Sequence, residues 1–133
     1  MVIKPTPLDV HWVGRSKKDL SAFPEDVKYM VGHALYEAQT GGKHESAKPM
    51  QGFGGAGVLE VVEDYKGDTY RAVYTVKFKN AVYILHAFQK KANQGNKTSQ
   101  NDINLIKANL KTAETDSKAE LAAKAKVNQG VRK

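Results

Sequence analysis

The residue types best suited to handling a charged substrate lie in two neighbouring segments in the second half of the chain. Residues 70–77 alternate in a way typical of a β-strand, which places Arg71 on one of the two strand faces. The next apolar run places Ile84, His86 and Phe88 on one face and ends in two lysines. A guanidinium can bind a phosphate through paired hydrogen bonds, and an imidazole can transfer a proton near neutral pH. The first candidates for a site are therefore Arg71, His86, Lys90 and Lys91.

Each candidate also has an ordinary structural role. Arg71 could form an ion pair with Glu60 or Asp68, because an unpaired charge within a sheet is costly. A single strand histidine such as His86 is more often packed than catalytic, and lysines at the end of a strand commonly stay in solvent. The grouping on two adjacent strands favours a site, and the residue pattern leaves both interpretations open.

The sequence predicts neither a metal site nor a bound cofactor. The four histidines show no paired ligand spacing, and the chain has no cysteine to provide a thiolate ligand or a disulfide. The glycine-rich segment 52–57 is not followed by Lys-Ser or Lys-Thr, and it leads into a strand rather than a helix. It therefore lacks the features of a phosphate-binding loop, and we expect it to be mobile in the free protein.

The elements that must position these residues follow from the hydrophobic pattern. In chain order they are a strand at 8–13, helices that begin near Ser16 and Pro24, a loop at 43–57, strands at 58–63, 69–78 and 81–88, and a helix that begins at a capping-box spacing over 99–102. This order predicts an α+β fold: an antiparallel sheet with the N-terminal helices on one face, and a C-terminal helix. The other face of the sheet would then meet solvent or a ligand.

The net charge of +7 is concentrated in residues 90–133, which carry 10 Lys and Arg against 4 Asp and Glu. Such an excess attracts phosphate backbones, although it also keeps small proteins in solution. After Thr112 the chain is rich in Ala, Lys and Glu with few large apolar residues, so we predict a folded domain at 1–112 and a basic, marginally helical or disordered tail at 113–133.

Without a signal peptide, a membrane-spanning stretch or cysteine, a cytoplasmic protein is expected.

Six segments, in a fixed order over residues 8–112, carry a resemblance to a known family. They are Trp12-Val13-Gly14, residues 23–27, residues 48–60, Tyr70-Arg71-Ala72-Val73-Tyr74, residues 82–91 and residues 99–110. In this combination they resemble the phage-related HigB-like branch of the HigB/RelE-type toxins, which belong to bacterial type II toxin–antitoxin systems. Residues from 113 onwards lie outside the resemblance.

The resemblance implies a RelE-like microbial-ribonuclease fold and an endoribonuclease that cleaves mRNA, either free or on the ribosome. It also implies a cognate antitoxin as partner, in this branch often a helix-turn-helix DNA-binding protein. The strand arginine of the family falls on Arg71, and its basic residue after the last strand falls on Lys90 or Lys91. RelE-type members carry lysines on the second strand, where this chain has Leu59-Glu60-Val61, and this difference leaves the general base open.

RNA cleavage without a metal requires a base for the 2′-hydroxyl, cations for the charge that develops on phosphorus, and an acid for the leaving 5′-oxygen. The expected roles are phosphate binding by Arg71, a second cation from Lys90 or Lys91, base catalysis by Glu60, acid catalysis by His86, and RNA binding by Lys43, Lys48 and Lys77. The alternatives are a non-catalytic RNA-binding or phage accessory protein on the same scaffold, and a protein-interaction module whose exposed sheet face docks a partner helix.

Overall fold

The structure is a computed structural model that describes residues 6–54, 57–90 and 98–131, with the side chains of residues 128–131 left out. Its elements in chain order are β1 (Asp9–Trp12), α1 (Ser16–Ser21), α2 (Glu25–Gln39), β2 (Ala47–Pro49), β3 (Val58–Tyr65), β4 (Asp68–Thr75), β5 (Ala81–Lys90) and α3 (Gln100–Val131). The predicted α+β class, with helices before and after the sheet, is confirmed. No helix among the described residues has the length and apolar character needed to cross a bilayer.

The five strands form one sheet in the order β1-β5-β4-β3-β2. The predicted antiparallel meander of β3, β4 and β5 is present. At the β1 edge the predicted antiparallel sheet differs from the structure, because β1 pairs in parallel with β5. Residues 43–57 were predicted to be a loop, yet β2 adds an edge strand there. Three residues are too few to show a period, and Pro49 is compatible with a strand at an edge.

One face of the sheet is covered by α1 and α2. The apolar residues of α2 recur at steps of three and four, which aligns them on one side of the helix. They pack against strand residues such as Val61 and Ile84. The buried α2 residues are Val27, Val31, Ala34, Leu35 and Ala38. Complete burial of a Val or Leu side chain contributes about 1.5–3 kcal/mol, so this layer is a main source of stability.

On the other face of the sheet, α3 packs along β5, so the expectation that this face meets solvent or a ligand is wrong for the part that the helix covers. Ile106 and Ala113 are fully buried against strand residues such as Val73 and Tyr83. The helix continues past the predicted domain boundary at residue 112, and Ser117 is 1% exposed. Ala113 and Ser117 are small, so hydrophobicity alone does not identify a packed helix there, although small side chains allow close packing.

A β-bulge in β5 changes which side chains share a face. Val73 of β4 pairs with His86, whereas the next residue, Tyr74, pairs with Ile84, which leaves Leu85 as the extra residue. Ile84 therefore packs against the α2 layer. The prediction that Ile84, His86 and Phe88 share one face was wrong for Ile84, because the bulge interrupts the period of two.

Candidate functional site

An ion pair between β3 and β4 forms the centre of the candidate site. Nη1 of Arg71 donates a hydrogen bond to Oε2 of Glu60 at 3.1 Å. The two side chains are 9% and 20% exposed, so both charges are largely shielded from solvent. Of the two partners predicted for Arg71, the structure selects Glu60. The other, Asp68, accepts a hydrogen bond from Gln89 at 2.8 Å.

A cavity of about 430 Å³ opens beside this ion pair. Lys48 of β2 lies directly opposite Glu60 in the β2–β3 ladder and lines the same cavity. Lys48, Glu60 and Arg71 therefore form a row across three adjacent strands, with the carboxylate between two cations. The remaining lining residues are Pro49, Met50, Gln51, Thr98 and Ile103. A row of this kind can bind an anion through the cations while the carboxylate accepts a proton.

His86 lies on the same face of the sheet but outside this cavity. Its Nε2 is 2.8 Å from Oδ1 of Asp102, and its ring stacks on Phe88 with centroids 4.6 Å apart. The imidazole lines a separate cavity of about 170 Å³, which also includes Leu105 and Asn109 of α3. Since Ile103 lines the Arg71 cavity, the first turns of α3 border both spaces. The structure therefore brings Arg71 and Glu60 together and leaves His86 next to them.

Asp102 is a site residue that the sequence analysis identified only as part of a helix cap. The Ser99 half of the predicted capping box is present, because the Ser99 hydroxyl accepts from the backbone N–H of Asp102 at 3.1 Å. The same hydroxyl donates to Asp102 Oδ2 at 2.7 Å. The second carboxylate oxygen contacts His86. The carboxylate thus joins the start of α3 to β5. In the sequence, the capping-box spacing was the only signal that pointed to Asp102. It could not show that the carboxylate oxygen not bonded to Ser99 would contact His86.

The remaining lysines predicted for the site are spread over the molecule. Lys90 is 7% exposed, and strand alternation gives it the same face as His86. Lys91 lies outside the described residues. Lys43 is exposed beyond α2, and Lys77 is exposed beyond β4, where its Nζ is 5.8 Å from the ring centroid of Phe78. None of the three described lysines lines the Arg71 cavity, whereas Lys48 does.

The glycine-rich segment lies between β2 and β3, next to the cavity-lining residue Gln51. Gly52 and Gly54 have positive φ angles of 91° and 58°, a conformation that a residue with a side chain rarely adopts. Residues 55 and 56 lie outside the described part of the chain. The expected mobility of this segment in the free protein stays a prediction.

A family comparison matches residues 18–111 to the family described as "Phage derived protein Gp49-like (DUF891)". Among solved structures, the chain is similar to a chain of the toxin–antitoxin complex RelBE2 from Mycobacterium tuberculosis, with 20% sequence identity and a TM-score of 0.41. That alignment covers 65% of this chain and 94% of the other. No curated protein matches the sequence. The family match includes Lys48, Glu60, Arg71, His86 and Asp102 and ends just before the predicted tail.

Proposed function

The chain belongs to the Gp49-like family, which is of the RelE/HigB toxin type, and from this premise we propose that it is an endoribonuclease that cleaves mRNA. As the toxin of a type II toxin–antitoxin pair, it would be neutralised by a cognate antitoxin, with a helix-turn-helix protein as the expected kind. The observation that carries the proposal is the row of Lys48, Glu60 and Arg71 along one cavity. The expected place of action is the cytoplasm, on mRNA that is either free or bound to the ribosome.

In the proposed reaction, Arg71 binds the scissile phosphate. A guanidinium carries five N–H donors in a planar fork, so it can hold Glu60 and contact phosphate oxygens in the same plane. Its charge is permanent and would offset the negative charge that develops on the non-bridging oxygens. Lys48, which lies opposite Glu60, would supply a second cation on the same side of the cavity.

Glu60 is the proposed general base. It would accept the proton of the 2′-hydroxyl while the 2′-oxygen attacks phosphorus, and the bond from phosphorus to the 5′-oxygen would break. The products would be a 2′,3′-cyclic phosphate and a 5′-hydroxyl. Hydrogen bonding to Arg71 fixes the direction in which the carboxylate points, which favours proton transfer from a substrate held by the same guanidinium.

The 5′-oxygen requires a proton, and His86 remains the predicted donor. Contact with Asp102 holds the imidazole in one orientation. The ring lies in the neighbouring cavity, so the leaving nucleotide would have to extend along the first turn of α3 to reach it. This role is therefore a separate prediction from the roles of Glu60 and Arg71.

One observation favours the alternative of a non-catalytic RNA-binding or phage accessory protein. The Glu60 carboxylate already accepts a hydrogen bond from Arg71, and such a pair can serve the fold alone. In that case the cations would give affinity for RNA without cleavage. The two functions differ in what Glu60 does, so a Glu60→Gln variant separates them.

The test is induced expression of the wild type and of Glu60→Gln, with and without the antitoxin gene, combined with mapping of transcript ends. We expect growth arrest and new 5′-hydroxyl ends only with the wild type, and relief by the antitoxin. Asp64→Asn is the matched control, because it removes an exposed carboxylate from the same strand. With purified protein, cleavage should persist in EDTA. Intact transcripts and normal growth with folded wild-type protein would overturn the proposal, and growth arrest by Glu60→Gln with intact transcripts would favour the binding protein.

A further inference from the structure

A second group of chemically competent side chains lies at the β1 edge of the sheet. One ligand atom each from Asp9, His11 and Glu120 lies within 4.8 Å of the other two. The shortest of these separations is 2.9 Å, between His11 Nε2 and Glu120 Oε2. These residues lie at the opposite sheet edge from Lys48, because β1 and β2 are the two edge strands.

Two elements that are distant in the sequence build this group. Asp9 and His11 alternate on β1 and so project from the same face. Glu120 comes from α3, one turn after Asp116, and both carboxylates line a cavity of about 300 Å³ with His11. The ring of Tyr83 contacts the imidazole, with centroids 5.1 Å apart. His11 and Glu120 therefore reach one cavity from a strand and a helix, and Asp9 lies within 4.8 Å of both on the same face of β1.

A chain of buried hydrogen bonds through Ser117, Asn80 and Tyr83 lies next to the Glu120 carboxylate, which Asn80 also contacts. Ser117 donates to Asn80 Oδ1 at 2.6 Å, and Asn80 Nδ2 donates to the Tyr83 hydroxyl at 2.8 Å. Ser117 and Asn80 are 1% and 7% exposed. Burial acts to raise the pKa of Glu120, but hydrogen bonds from Asn80 and His11 and the nearby charges outweigh it and lower this pKa overall. The position of Glu120 is thus fixed by its contact with His11 at 2.9 Å.

From this geometry we infer that Asp9, His11 and Glu120 bind one divalent transition-metal ion, for which Zn²⁺ is a suitable probe. One imidazole nitrogen and two carboxylate oxygens are ligands that zinc accepts, with water in a fourth position. Bonds of about 2.0–2.2 Å in a tetrahedron separate neighbouring ligand atoms by roughly 3.3–3.6 Å. The ligand atoms lie within 4.8 Å of one another, so small side-chain movements would bring them to these separations. His11 and Glu120 would exchange their mutual hydrogen bond for bonds to the ion.

The inferred ion would join the edge strand to α3 and stabilise the packing of the helix beyond residue 112. It takes no part in the proposed cleavage, so it stands independently of that function. The sequence predicts no metal site, because its histidines lack ligand spacing. His11 and Glu120 are 109 positions apart, and only the path of α3 brings them together.

The experiment is calorimetric titration of the metal-free, tag-free full chain with ZnCl₂, combined with thermal melting with and without the ion. We expect one ion per chain and a higher Tm. Glu120→Gln and Asp9→Asn keep side-chain shape and should each weaken binding by about tenfold or more. Glu114→Gln and His33→Ala are matched controls, since they remove an acid from another position of α3 and an exposed histidine from α2.

The absence of one-to-one binding by the wild type would overturn the inference, as would binding that Glu120→Gln and Asp9→Asn leave unchanged. His11→Ala should abolish binding, but it also removes a ring contact to Tyr83. The two shape-preserving carboxylate variants therefore carry the test if His11→Ala folds poorly. RNA cleavage that survives EDTA would leave the inference intact, because the readout is metal binding and not activity.

Discussion

Arg71 and Glu60 form a diagonal pair: Arg71 lies opposite Val62 in the β3–β4 ladder, yet its Nη1 reaches Glu60 Oε2 two residues away, at 3.1 Å. Diagonal neighbours in an antiparallel sheet are about 7–8 Å apart, a distance that long side chains can span. The guanidinium therefore lies over the strand gap, next to the cavity that Lys48 lines from the other side of Glu60. This placement makes the pair both an element of the fold and the candidate centre of the chemistry.

Arg71→Ala should lower the cleavage rate by roughly a hundredfold or more, the usual cost of removing a donor that stabilises transition-state charge. Arg71→Lys should restore little, because an ammonium cannot form the paired contacts of a guanidinium. Cleavage rate and Tm should be measured on each variant, with Lys118→Ala as the control for loss of a surface charge.

The same substitution also leaves Glu60 without its partner, which costs up to about 3–5 kcal/mol when a pair is fully buried and less at this partly exposed position. The double variant Arg71→Ala, Glu60→Gln removes both charges and should regain much of the Tm without regaining cleavage. A folded double variant that cleaves RNA normally would show that the pair serves the fold alone.

His86→Gln should slow cleavage of RNA by about 10²–10⁴-fold if the imidazole protonates the leaving oxygen. A dinucleotide analogue with a good aryl leaving group needs no such proton, so the variant should cleave it at nearly the wild-type rate. Asp102→Asn should show the same selective loss to a smaller degree, because it acts by orienting His86. His33→Gln is the control. Equal losses on both substrates would argue against an acid role for His86.

Removal of residues 113–133 tests where the folded unit ends. The sequence pattern predicts almost no change in Tm, whereas the structure buries Ala113 and Ser117 and bonds Ser117 to Asn80. Removing the segment breaks that hydrogen bond and exposes the apolar surface that Ala113 covers, at about 1–3 kcal/mol, so we expect Tm to fall by roughly 5–10 °C. A chain that ends after Leu121 keeps these contacts and should melt near the full-length value. Equal melting of both truncated chains and the full chain would support the tail as first predicted.

Tyr74→Phe should leave stability unchanged at neutral pH or increase it by up to about 1 kcal/mol. The Tyr74 hydroxyl is buried under α2 and has no hydrogen-bond partner among the described residues, so its removal costs nothing. Burial, with a smaller effect of Glu37, raises the pKa of Tyr74 from 10.0 to about 12.

The folded state therefore favours the neutral phenol. The preference of the folded state for the neutral Tyr74 hydroxyl adds to the free energy of unfolding. This addition is complete below pH 10 and is lost as the pH rises towards 12. The Tm of the wild type should fall more steeply than that of Tyr74→Phe over this range. Tyr29→Phe, at a position 73% exposed, is the control. A clear loss of Tm in Tyr74→Phe at pH 7 would mean that the hydroxyl has a partner after all.

The elements that were predicted correctly from the sequence are those in which apolar residues recur at a regular local spacing. The spacing of Val27, Val31 and Ala34 identifies α2, and alternation identifies β3, β4 and β5, which also supplied Glu60 as a partner for Arg71. The family resemblance was confirmed by the match over residues 18–111. These features depend on residues close together in the chain, or on strands joined by short turns.

The features of the fold and the site that were not predicted depend on contacts between residues far apart in the sequence. Periodicity cannot reveal the parallel pairing of β1, since it says nothing about the neighbour of a strand. The extra residue Leu85 interrupts the alternation without any Gly or Pro to mark it. Asp102 was predicted only as part of a helix cap, and nothing in the sequence singled out Glu120. Only the path of α3 places these residues beside His86 and His11.

The parallel pairing of β1 with β5 also determines when the molecule can fold during its synthesis. Asp9 pairs with Ala81, so the first strand made has to wait for the last strand of the sheet to leave the ribosome. The α3 layer that borders both cavities is made later still. Contacts between residues so far apart in the sequence form slowly, because the chain loses conformational entropy in closing the loop before the contact can stabilise it. The proposed nuclease would therefore lack a finished site until β5 and α3 have both been made, and it would not cleave the mRNA that encodes it before that point.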